Sequence, residues 1–325
     1  MVSQVAPQPP ITLRVSVTDR CDLRCLYCLP PQGASPLYDP SEILAFEEIV
    51  QIVRAATRVA PSVALRITGG EPLLRPDIDR LVSMLCALEV SDIALTTSGQ
   101  LLAALAPRLK ESGLRRVNVS LDTLQPKRYA RLTRGGSLQR TLAGIESALE
   151  HDLRPVKLNA IALRGINEDE FGDLARFAIA RGCQMRFIEL MPIGPAVSRH
   201  REWFVPADEV RARLQREFEF VGPLPGPTAP ARTFAVRCST TGLPGVVGFI
   251  SPMSDPFCSG CRRLRLTSRG ELLSCLMHGD RLDLRPILRN GRAQTELESA
   301  VRAALARKSV CRTALRRFPM AAIGG

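Results

Sequence analysis

Two groups of three cysteines are the residues of this sequence whose type and spacing are best suited to chemistry. The first cysteine group is Cys21, Cys25 and Cys28, and the second cysteine group is Cys258, Cys261 and Cys275. A closed zinc site and a [4Fe–4S] cluster held by protein alone both take four protein ligands. A group of three therefore predicts a [4Fe–4S] cluster with one iron open to an exogenous ligand. A zinc site completed by a remote ligand is the structural alternative.

The cysteine content also bears on the compartment. The chain has 10 cysteines and starts with MVSQVAPQPP, which has neither the basic nor the apolar region of a secretory leader. Because the cytosol keeps thiols reduced, clustered cysteines there indicate metal ligands or reactive thiols rather than disulfides. No apolar run reaches the roughly 18 residues that a membrane helix needs. We therefore expect a cytoplasmic protein without a membrane partner.

The formal net charge of +12 predicts a polyanionic partner. Nucleic acid, a membrane surface and the phosphates of a nucleotide all fit that charge. Only 5% of the residues are aromatic, which supplies few side chains for stacking on single-stranded nucleic acid. Charge alone does not choose among these partners, and a basic soluble surface accounts for much of the excess. We expect no nucleic-acid partner.

Alternating strands and helices must position the first cysteine group. Strands are expected at 13–17, 63–68, 92–97, 116–121, 155–163 and 184–190, with helical periodicity between them. This alternation predicts parallel βαβ units of an α/β fold, in either an open doubly wound sheet or a barrel-like sheet. The first cysteine group, GGEP at 69–72 and Ser120 lie at strand ends, where a barrel carries its chemistry. We therefore predict a six-unit (βα)6 partial barrel, similar to a TIM barrel, with one mouth.

The alternation stops after Pro192, and a stretch rich in proline and glycine follows at 221–231. We predict a boundary here, with the partial barrel in residues 1–192 and a C-terminal region in residues 193–325. A basic helical stretch is expected at 296–308. The C-terminal region is expected to bind the second cluster and to close the mouth of the barrel.

The first cysteine group and its surroundings resemble a known family. CDLRCLYC, followed by GGEP at the end of the next strand, is similar to the signature of radical S-adenosylmethionine (SAM) enzymes. The resemblance implies that the open iron binds the methionine part of SAM and that electron transfer releases a 5′-deoxyadenosyl radical. It further implies SAM contacts from Tyr27, Gly70, Ser120 and Met191.

The second cysteine group narrows the resemblance. CSGCRRLRLTSRGELLSC, together with RFIELMPIG and a terminal Gly-Gly, resembles the GTP 3′,8-cyclases among the radical SAM enzymes. The resemblance implies two [4Fe–4S] clusters, with the guanine of GTP on the open iron of the second. The residues that would bind GTP are Arg14, Arg66, Thr97, Lys157, Arg263 and Arg265. Catalytic roles would fall to Arg14, as a proton source, and to Gly324 and Gly325, which would reach towards the substrate.

The implied reaction converts GTP to (8S)-3′,8-cyclo-7,8-dihydroguanosine 5′-triphosphate, the first step of molybdenum cofactor biosynthesis. The adenosyl radical would remove the C3′ hydrogen atom, and a second electron would quench the nucleotide radical after ring closure. The resemblance also implies a reducing electron donor, an enzyme that takes the product onward and a homodimer. Two other interpretations are a radical enzyme that modifies peptides, which would carry more C-terminal cysteines, and a zinc-dependent nucleic-acid-binding protein, which would be colourless.

Overall fold

A computed structural model of the 325-residue chain describes residues 10–33, 37–224, 230–258, 260–277, 280–289 and 293–310. Strands and helices alternate in its N-terminal half. The strands are β1 (Ile11–Ser16), β2 (Val63–Thr68), β3 (Asp92–Thr97), β4 (Arg116–Ser120), β5 (Lys157–Ala162) and β6 (Gln184–Glu189). The helices are α1 (Phe46–Val59), α2 (Ile78–Cys86), α3 (Leu102–Glu111), α4 (Pro126–Thr133), α5 (Leu138–Glu150) and α6 (Phe171–Ala180). The predicted alternation of strand and helix is confirmed.

Strands β1 to β6 lie side by side in chain order, and all of them run parallel. A doubly wound sheet reverses its strand order at a switch point. No reversal occurs between β1 and β6, so this half of the chain has the partial-barrel arrangement that the sequence predicts.

Alternation along each strand separates an outer from an inner face. In β1, Leu13 and Val15 are buried in the hydrophobic core, while Arg14 points to the other face. In β2, Leu65 is buried in the same core and Arg66 again lies opposite. Because burying a leucine or valine side chain contributes roughly 1.5–3 kcal/mol, the outer face holds the helices to the sheet. The inner face is left to polar side chains.

The C-terminal region extends the same sheet at both edges. Its elements are α7 (Ala196–Trp203), α8 (Ala207–Leu214), β7 (Phe218–Pro223), β8 (Ala231–Cys238), β9 (Pro244–Ile250), β10 (Arg263–Leu266), β11 (Glu271–Leu273), β12 (Arg281–Asp283), α9 (Arg285–Arg289) and α10 (Ala293–Ala306). Strand β9 lies parallel to β6 and continues into antiparallel β8 and β7. Strand β10 lies parallel to β1 and continues into antiparallel β11 and β12. Because both parts of the chain share one sheet, the boundary between 192 and 193 remains a prediction.

Helix α10 packs against α1 on the outer side of the sheet. Leu297 and Val301 are buried there, and Arg58 of α1 forms an ion pair with Glu298 at an N···O distance of 3.6 Å. A short 3₁₀ turn, Arg307–Val310, follows the helix. Among the described residues, no helix is both long enough and apolar enough to span a membrane.

Candidate active site

Cationic side chains cover the inner face of the sheet. The strand register pairs Arg14 of β1 with Arg265 of β10 on one side and with Arg66 of β2 on the other. The same face of the neighbouring strands adds further cations, and we call the whole set the cationic layer. Its members are Arg14, Arg66, Arg116, Lys157, Arg186, Arg263 and Arg265.

Burial and mutual repulsion lower the pKa values of several members of the cationic layer. Burial, reinforced by the charges of Arg263 and Arg66, lowers the pKa of Arg14 to about 10. Burial, with nearby arginines adding to the effect, lowers the pKa of Lys157 to about 7 and that of Arg186 to about 10. A polyanion bound among these side chains would relieve the repulsion and favour their charged forms.

Asp92 brings a carboxylate into the cationic layer. It forms an ion pair with Arg66 at 2.7 Å and accepts a hydrogen bond from Nε of Arg116 at 2.9 Å. Although burial favours the neutral acid, these two arginines hold the pKa of Asp92 below its usual value. Among the described residues of this face, Asp92 pairs with two members of the layer, and positive charge predominates. The inner face is therefore suited to a ligand with several phosphates.

Buried polar atoms without partners lie next to the cationic layer. The Oδ1 atoms of Asn118 and Asn159 and the Nε of Arg186 have no hydrogen-bond partner within the described part of the chain. The register pairs Asn118 with Lys157 and Asn159 with Arg186, so these groups share the inner face. Because buried polar atoms nearly always have partners, a polar ligand is expected to complete this site.

The first cysteine group lies on the loop that leaves the carboxyl end of β1. Two backbone hydrogen bonds attach this loop to the carboxyl end of α4. The N–H of Arg24 donates to the carbonyl of Thr133 at 3.0 Å, and the N–H of Leu26 donates to the carbonyl of Leu132 at 2.9 Å. The loop is therefore held against the barrel along the stretch that carries the cysteines.

The thiols of the first cysteine group fit an iron–sulfur cluster. Burial raises the pKa of Cys21 and Cys25 and raises that of Cys28 to about 12; at Cys25 the neighbouring thiols add to the effect. Thiolates are unfavourable here unless a positive charge compensates them, and bound iron supplies that charge. Within the described ranges, no three His, Cys, Asp or Glu side chains converge on the position of a single metal ion.

Tyr27 is tied to the barrel by a buried hydrogen bond. Its hydroxyl donates to Oδ2 of Asp122 at 2.7 Å, and Oδ1 of Asp122 accepts from the N–H of Ile161 at 2.8 Å. Burial raises the pKa of Tyr27 and raises that of Asp122 to about 6. Because the hydroxyl is already bonded, Tyr27 offers a ligand its ring.

The GGEP turn packs directly on the backbone that leads to Cys21. The N–H of Gly70 donates to the carbonyl of Thr18 at 2.7 Å, and the N–H of Glu71 donates to the carbonyl of Arg20 at 2.8 Å. A Cβ atom added to Gly70 would lie 2.2 Å from the carbonyl oxygen of Arg20. Only glycine permits this approach of the two loops.

Glu71 connects the GGEP turn to the end of β3. Its buried carboxylate accepts hydrogen bonds from Thr97 Oγ1 and from the N–H of Ser98, each at 2.7 Å. Thr97 lies on the outer face of the sheet, since it alternates with Thr96 along β3. Its predicted contact with GTP stays a prediction. Thr96 lies on the inner face, where its hydroxyl accepts a hydrogen bond from Asn118 at 3.1 Å.

The second cysteine group joins the sheet at the other end of the strands. Cys21 follows the carboxyl end of β1, whereas Cys261 precedes β10, which runs parallel to β1. Cys275 follows β11, which is antiparallel to β10 and so returns to the end where Cys261 lies. The two cysteine groups therefore approach the cationic layer from opposite ends of the neighbouring strands β1 and β10.

Two cationic groups approach the sulfur of Cys261. Nε of Arg263 and Nζ of Lys308 each lie 3.5 Å from it. Although burial acts to raise the pKa of Cys261, these two charges lower it to about 7. Cys258 is exposed and Cys275 is half-buried. The three thiols supply the donor type that a second cluster requires.

Glu189 attaches the loop of the second cysteine group to β6. Its carboxylate accepts hydrogen bonds from the N–H groups of Ala207, Met253 and Ser254, each at 2.9 Å. The side chain is buried at the carboxyl end of its strand. The segment that leads to Cys258 therefore starts from a fixed point on the barrel.

The remaining residues that the sequence predicts for the site are Ser120, Met191, Gly324 and Gly325. Ser120 ends β4 on the inner face, paired with Asn159. Met191 packs against a small hydrophobic cluster that includes Leu276, the residue after Cys275. Gly324 and Gly325 lie outside the described residues. The roles predicted for these four residues stay predictions.

Arg116, Arg186, Asn118 and Asn159 are inner-face residues that motif reasoning did not select. Each lies on a predicted strand, at the alternate positions opposite the buried apolar residues. Strand alternation, applied to every predicted strand, places them on the same face as Arg14 and Arg66 and would have identified them.

Two family models together match most of the chain. The model described as Radical SAM superfamily matches residues 15–178, and the model described as Molybdenum Cofactor Synthesis C matches residues 183–312. Several relatives bear the name GTP 3′,8-cyclase. The protein from Pelotomaculum thermopropionicum is 45% identical over 91% of this chain and 90% of its own length. The proteins from Moorella thermoacetica and Rhodobacter capsulatus are 46% and 45% identical, covering 88% and 91% of this chain and 87% of each relative.

Solved structures with the same fold are also found. The Streptococcus suis protein SuiB, crystallised with the precursor peptide SuiA, aligns with a TM-score of 0.59 at 16% sequence identity. The alignment covers 90% of this chain and 67% of SuiB. The structure of SuiB bound to S-adenosylmethionine aligns with a TM-score of 0.58 at 17% identity, over 90% of this chain and 68% of SuiB. At this level of identity the likeness is one of fold alone.

Proposed function

The chain belongs to the GTP 3′,8-cyclases of the radical SAM superfamily, and from this membership we propose how its residues perform the reaction. The enzyme converts GTP to (8S)-3′,8-cyclo-7,8-dihydroguanosine 5′-triphosphate, the first step of molybdenum cofactor biosynthesis. It uses two [4Fe–4S] clusters and SAM. When bound, the first cluster and SAM supply the one-electron chemistry that removes a hydrogen atom from GTP. The observation that carries the residue assignments is the cationic layer between the two cysteine groups.

The first cysteine group would hold the first cluster, with SAM beside it. The ring of Tyr27, fixed by Asp122, would contact the adenine part of SAM. Gly70 would shape the SAM site by bringing the GGEP turn onto the backbone before Cys21. Ser120 and Met191 would supply further SAM contacts, as the resemblance implies.

The cationic layer would bind the triphosphate of GTP. Arginine presents a planar fork of N–H donors that matches phosphate oxygens, so several arginines on one face suit three linked phosphates. Arg14, Arg66, Lys157, Arg263 and Arg265 are the members implied by the resemblance. We add Arg186, because its Nε is buried on the same face without a partner among the described residues. Thr97 remains a proposed contact on the resemblance alone.

The second cysteine group would hold the second cluster, and the guanine of GTP would lie against it. The triphosphate and the base would then be fixed at separate points, which orients the ribose towards SAM. Arg14 would donate the proton that accompanies quenching of the nucleotide radical. Burial lowers its pKa to about 10, so its guanidinium is a stronger acid than usual.

The reaction is tested by anaerobic incubation of the reconstituted chain with GTP, SAM and dithionite, followed by mass analysis of the products. We expect a cyclised product with the mass of GTP, together with 5′-deoxyadenosine. Omitting GTP is the control, since it leaves at most uncoupled cleavage of SAM. Cleavage of SAM without any cyclised nucleotide, in the presence of GTP, would contradict the proposal.

The arginines of the cationic layer give a quantitative prediction. We expect Arg186→Ala and Arg265→Ala each to weaken GTP binding by about one to two decades, because a lost charge-assisted phosphate contact costs roughly 1.5–3 kcal/mol. Calorimetric titration with GTP and with guanosine measures the effect, and the affinity for guanosine is expected to stay unchanged. Arg199→Ala is the matched control, since Arg199 pairs with Glu202 and its side chain is 56% exposed. Unchanged GTP affinity in both inner-face variants would contradict the assignment.

We propose that the terminal residues Gly324 and Gly325 reach the bound substrate, as the resemblance to the GTP 3′,8-cyclases implies. Deleting both is expected to abolish cyclisation, while iron content and SAM cleavage persist. Product mass analysis and an iron assay on the same preparation check this. Full product formation by the truncated chain would remove the two glycines from the catalytic assignment.

The family also leads us to propose the surroundings in which the enzyme works. A reducing protein or small molecule would donate electrons, and a second enzyme would take up the product. We further propose a homodimer and a cytoplasmic location, without a nucleic-acid or membrane partner. Size-exclusion chromatography with light scattering tests the dimer, and a single-chain mass at micromolar concentration would contradict it.

A further inference from the structure

Lys308 reaches the second cysteine group from a distant part of the sequence. It lies on the 3₁₀ turn after α10, and its Nζ is 3.5 Å from the sulfur of Cys261. The same Nζ donates to the carbonyl oxygen of Ser274 at 2.5 Å. Because Ser274 precedes Cys275, the ammonium group contacts both the segment that carries Cys261 and the segment that carries Cys275.

This ammonium group is separate from the cationic layer. Lys308 lies on the turn after α10 rather than on a strand of the inner face, and its side chain is half-buried. Its contacts are a cysteine sulfur and a backbone carbonyl, and neither group belongs to the cationic layer. If the carbonyl of Ser274 were its one contact, Lys308 would have only a structural role, joining two loops. The second contact, with the sulfur of a cluster ligand, suggests an electronic role.

A positive charge beside a cluster favours the reduced state, which carries one more negative charge. Hydrogen bonds to the sulfurs and the net charge nearby are among the features that set the reduction potential of an iron–sulfur cluster. The sulfur of Cys261 has two such donors, Lys308 and Arg263. Arg263 belongs to the cationic layer, so its substitution would change GTP binding as well. Lys308 allows the electronic effect to be measured alone.

We propose that Lys308 raises the reduction potential of the second cluster by placing its ammonium group between the Cys261 sulfur and the Ser274 carbonyl. Lys308 acts through the cluster ligand, so it is a positioning residue rather than a catalytic one. The inference rests on the proposed function at one point, namely that the second cysteine group holds a cluster.

The test is a redox titration of the full-length chain, followed by electron paramagnetic resonance. A Cys25→Ser background removes the first cluster, so that the signal comes from the second. We expect Lys308→Met to lower the ratio of reduced to oxidised cluster about tenfold at a fixed potential, which is 59 mV for a one-electron couple. Lys308→Arg, which keeps the charge, is expected to stay close to the parent. Lys110→Met is the matched control, since Lys110 pairs with Asp152 on an exposed surface.

Iron content separates the possible outcomes. An unchanged ratio in Lys308→Met, with about four irons retained, overturns the inference while leaving the proposed function intact. No cluster in the second group of the Lys308-containing parent overturns the proposed function and the inference with it. If Lys308→Met loses its cluster, Lys308→Gln decides, because it keeps an N–H donor without the charge. A tenfold fall in that variant supports the inference, and an unchanged ratio or a lost cluster overturns it.

Discussion

Replacing Cys25 with serine is expected to abolish cleavage of SAM and to remove about four of the roughly eight irons per reconstituted chain. A serine hydroxyl is a poor substitute for a thiolate towards an iron–sulfur cluster. The carbonyl of Cys25 accepts the N–H of Cys28 at 2.9 Å, a contact that serine keeps. The substitution therefore removes the ligand and leaves the turn. Iron and sulfide assays, with chromatography of 5′-deoxyadenosine, measure both effects.

Cys183→Ser is the matched control for the Cys25 experiment. Cys183 is buried in the hydrophobic core, away from both cysteine groups. Its replacement is expected to lower stability modestly and to leave the iron content at about eight. Full cleavage of SAM by the Cys25→Ser variant would remove the first cysteine group from the mechanism.

Gly70→Ala is expected to reduce SAM cleavage by about 100-fold or more, since misplacing a reacting group by about 1 Å can cost that much. The added Cβ would lie 2.2 Å from the carbonyl oxygen of Arg20. Backbone must move to relieve this overlap, and the backbone in question leads directly to Cys21. The rate of 5′-deoxyadenosine formation measures the loss, and iron content shows whether the cluster still assembles.

Gly222→Ala provides the comparison for Gly70→Ala. A Cβ atom at Gly222 would meet no atom within 4 Å, so the same chemical change is made without steric overlap. Its SAM cleavage is expected to match the parent within about twofold. Thermal unfolding of both variants separates a local effect from a general loss of folded protein. A parental rate in Gly70→Ala would show that the turn tolerates a side chain and is not needed as glycine.

The parallel strands were predictable because their signal is local. Each of the six combines β-branched or apolar residues with period-2 alternation, and each ends near a turn or helix signal. The cysteine groups were predictable for a similar reason, since ligand spacing is a property of a short stretch. The same alternation places Arg14 and Arg66 on one face of the sheet, whereas their roles in the site came from the family resemblance.

The pairing of β10 with β1 was not predictable from local signals. It joins Thr12 to Arg263 and Arg14 to Arg265, across most of the length of the chain. Glu189 likewise receives hydrogen bonds from a loop some sixty residues away, at Met253 and Ser254. Such contacts depend on how complete strands, helices and loops pack together. A short stretch of sequence carries no information about that packing. Only the structure therefore shows which end of the barrel the second cysteine group reaches.

If the cationic layer binds GTP as proposed, it would also couple folding to the concentration of nucleotide. The cations of the layer, close together on one inner face, raise the free energy of the ligand-free fold through self-repulsion. A ligand that binds only the folded chain stabilises it by RT ln(1 + [L]/Kd), about 2.7 kcal/mol at a ligand concentration 100 times Kd. A change of that size alters the fraction unfolded about a hundredfold, and with it exposure to proteases. The lifetime of this protein in a cell would then follow the supply of the molecule it consumes.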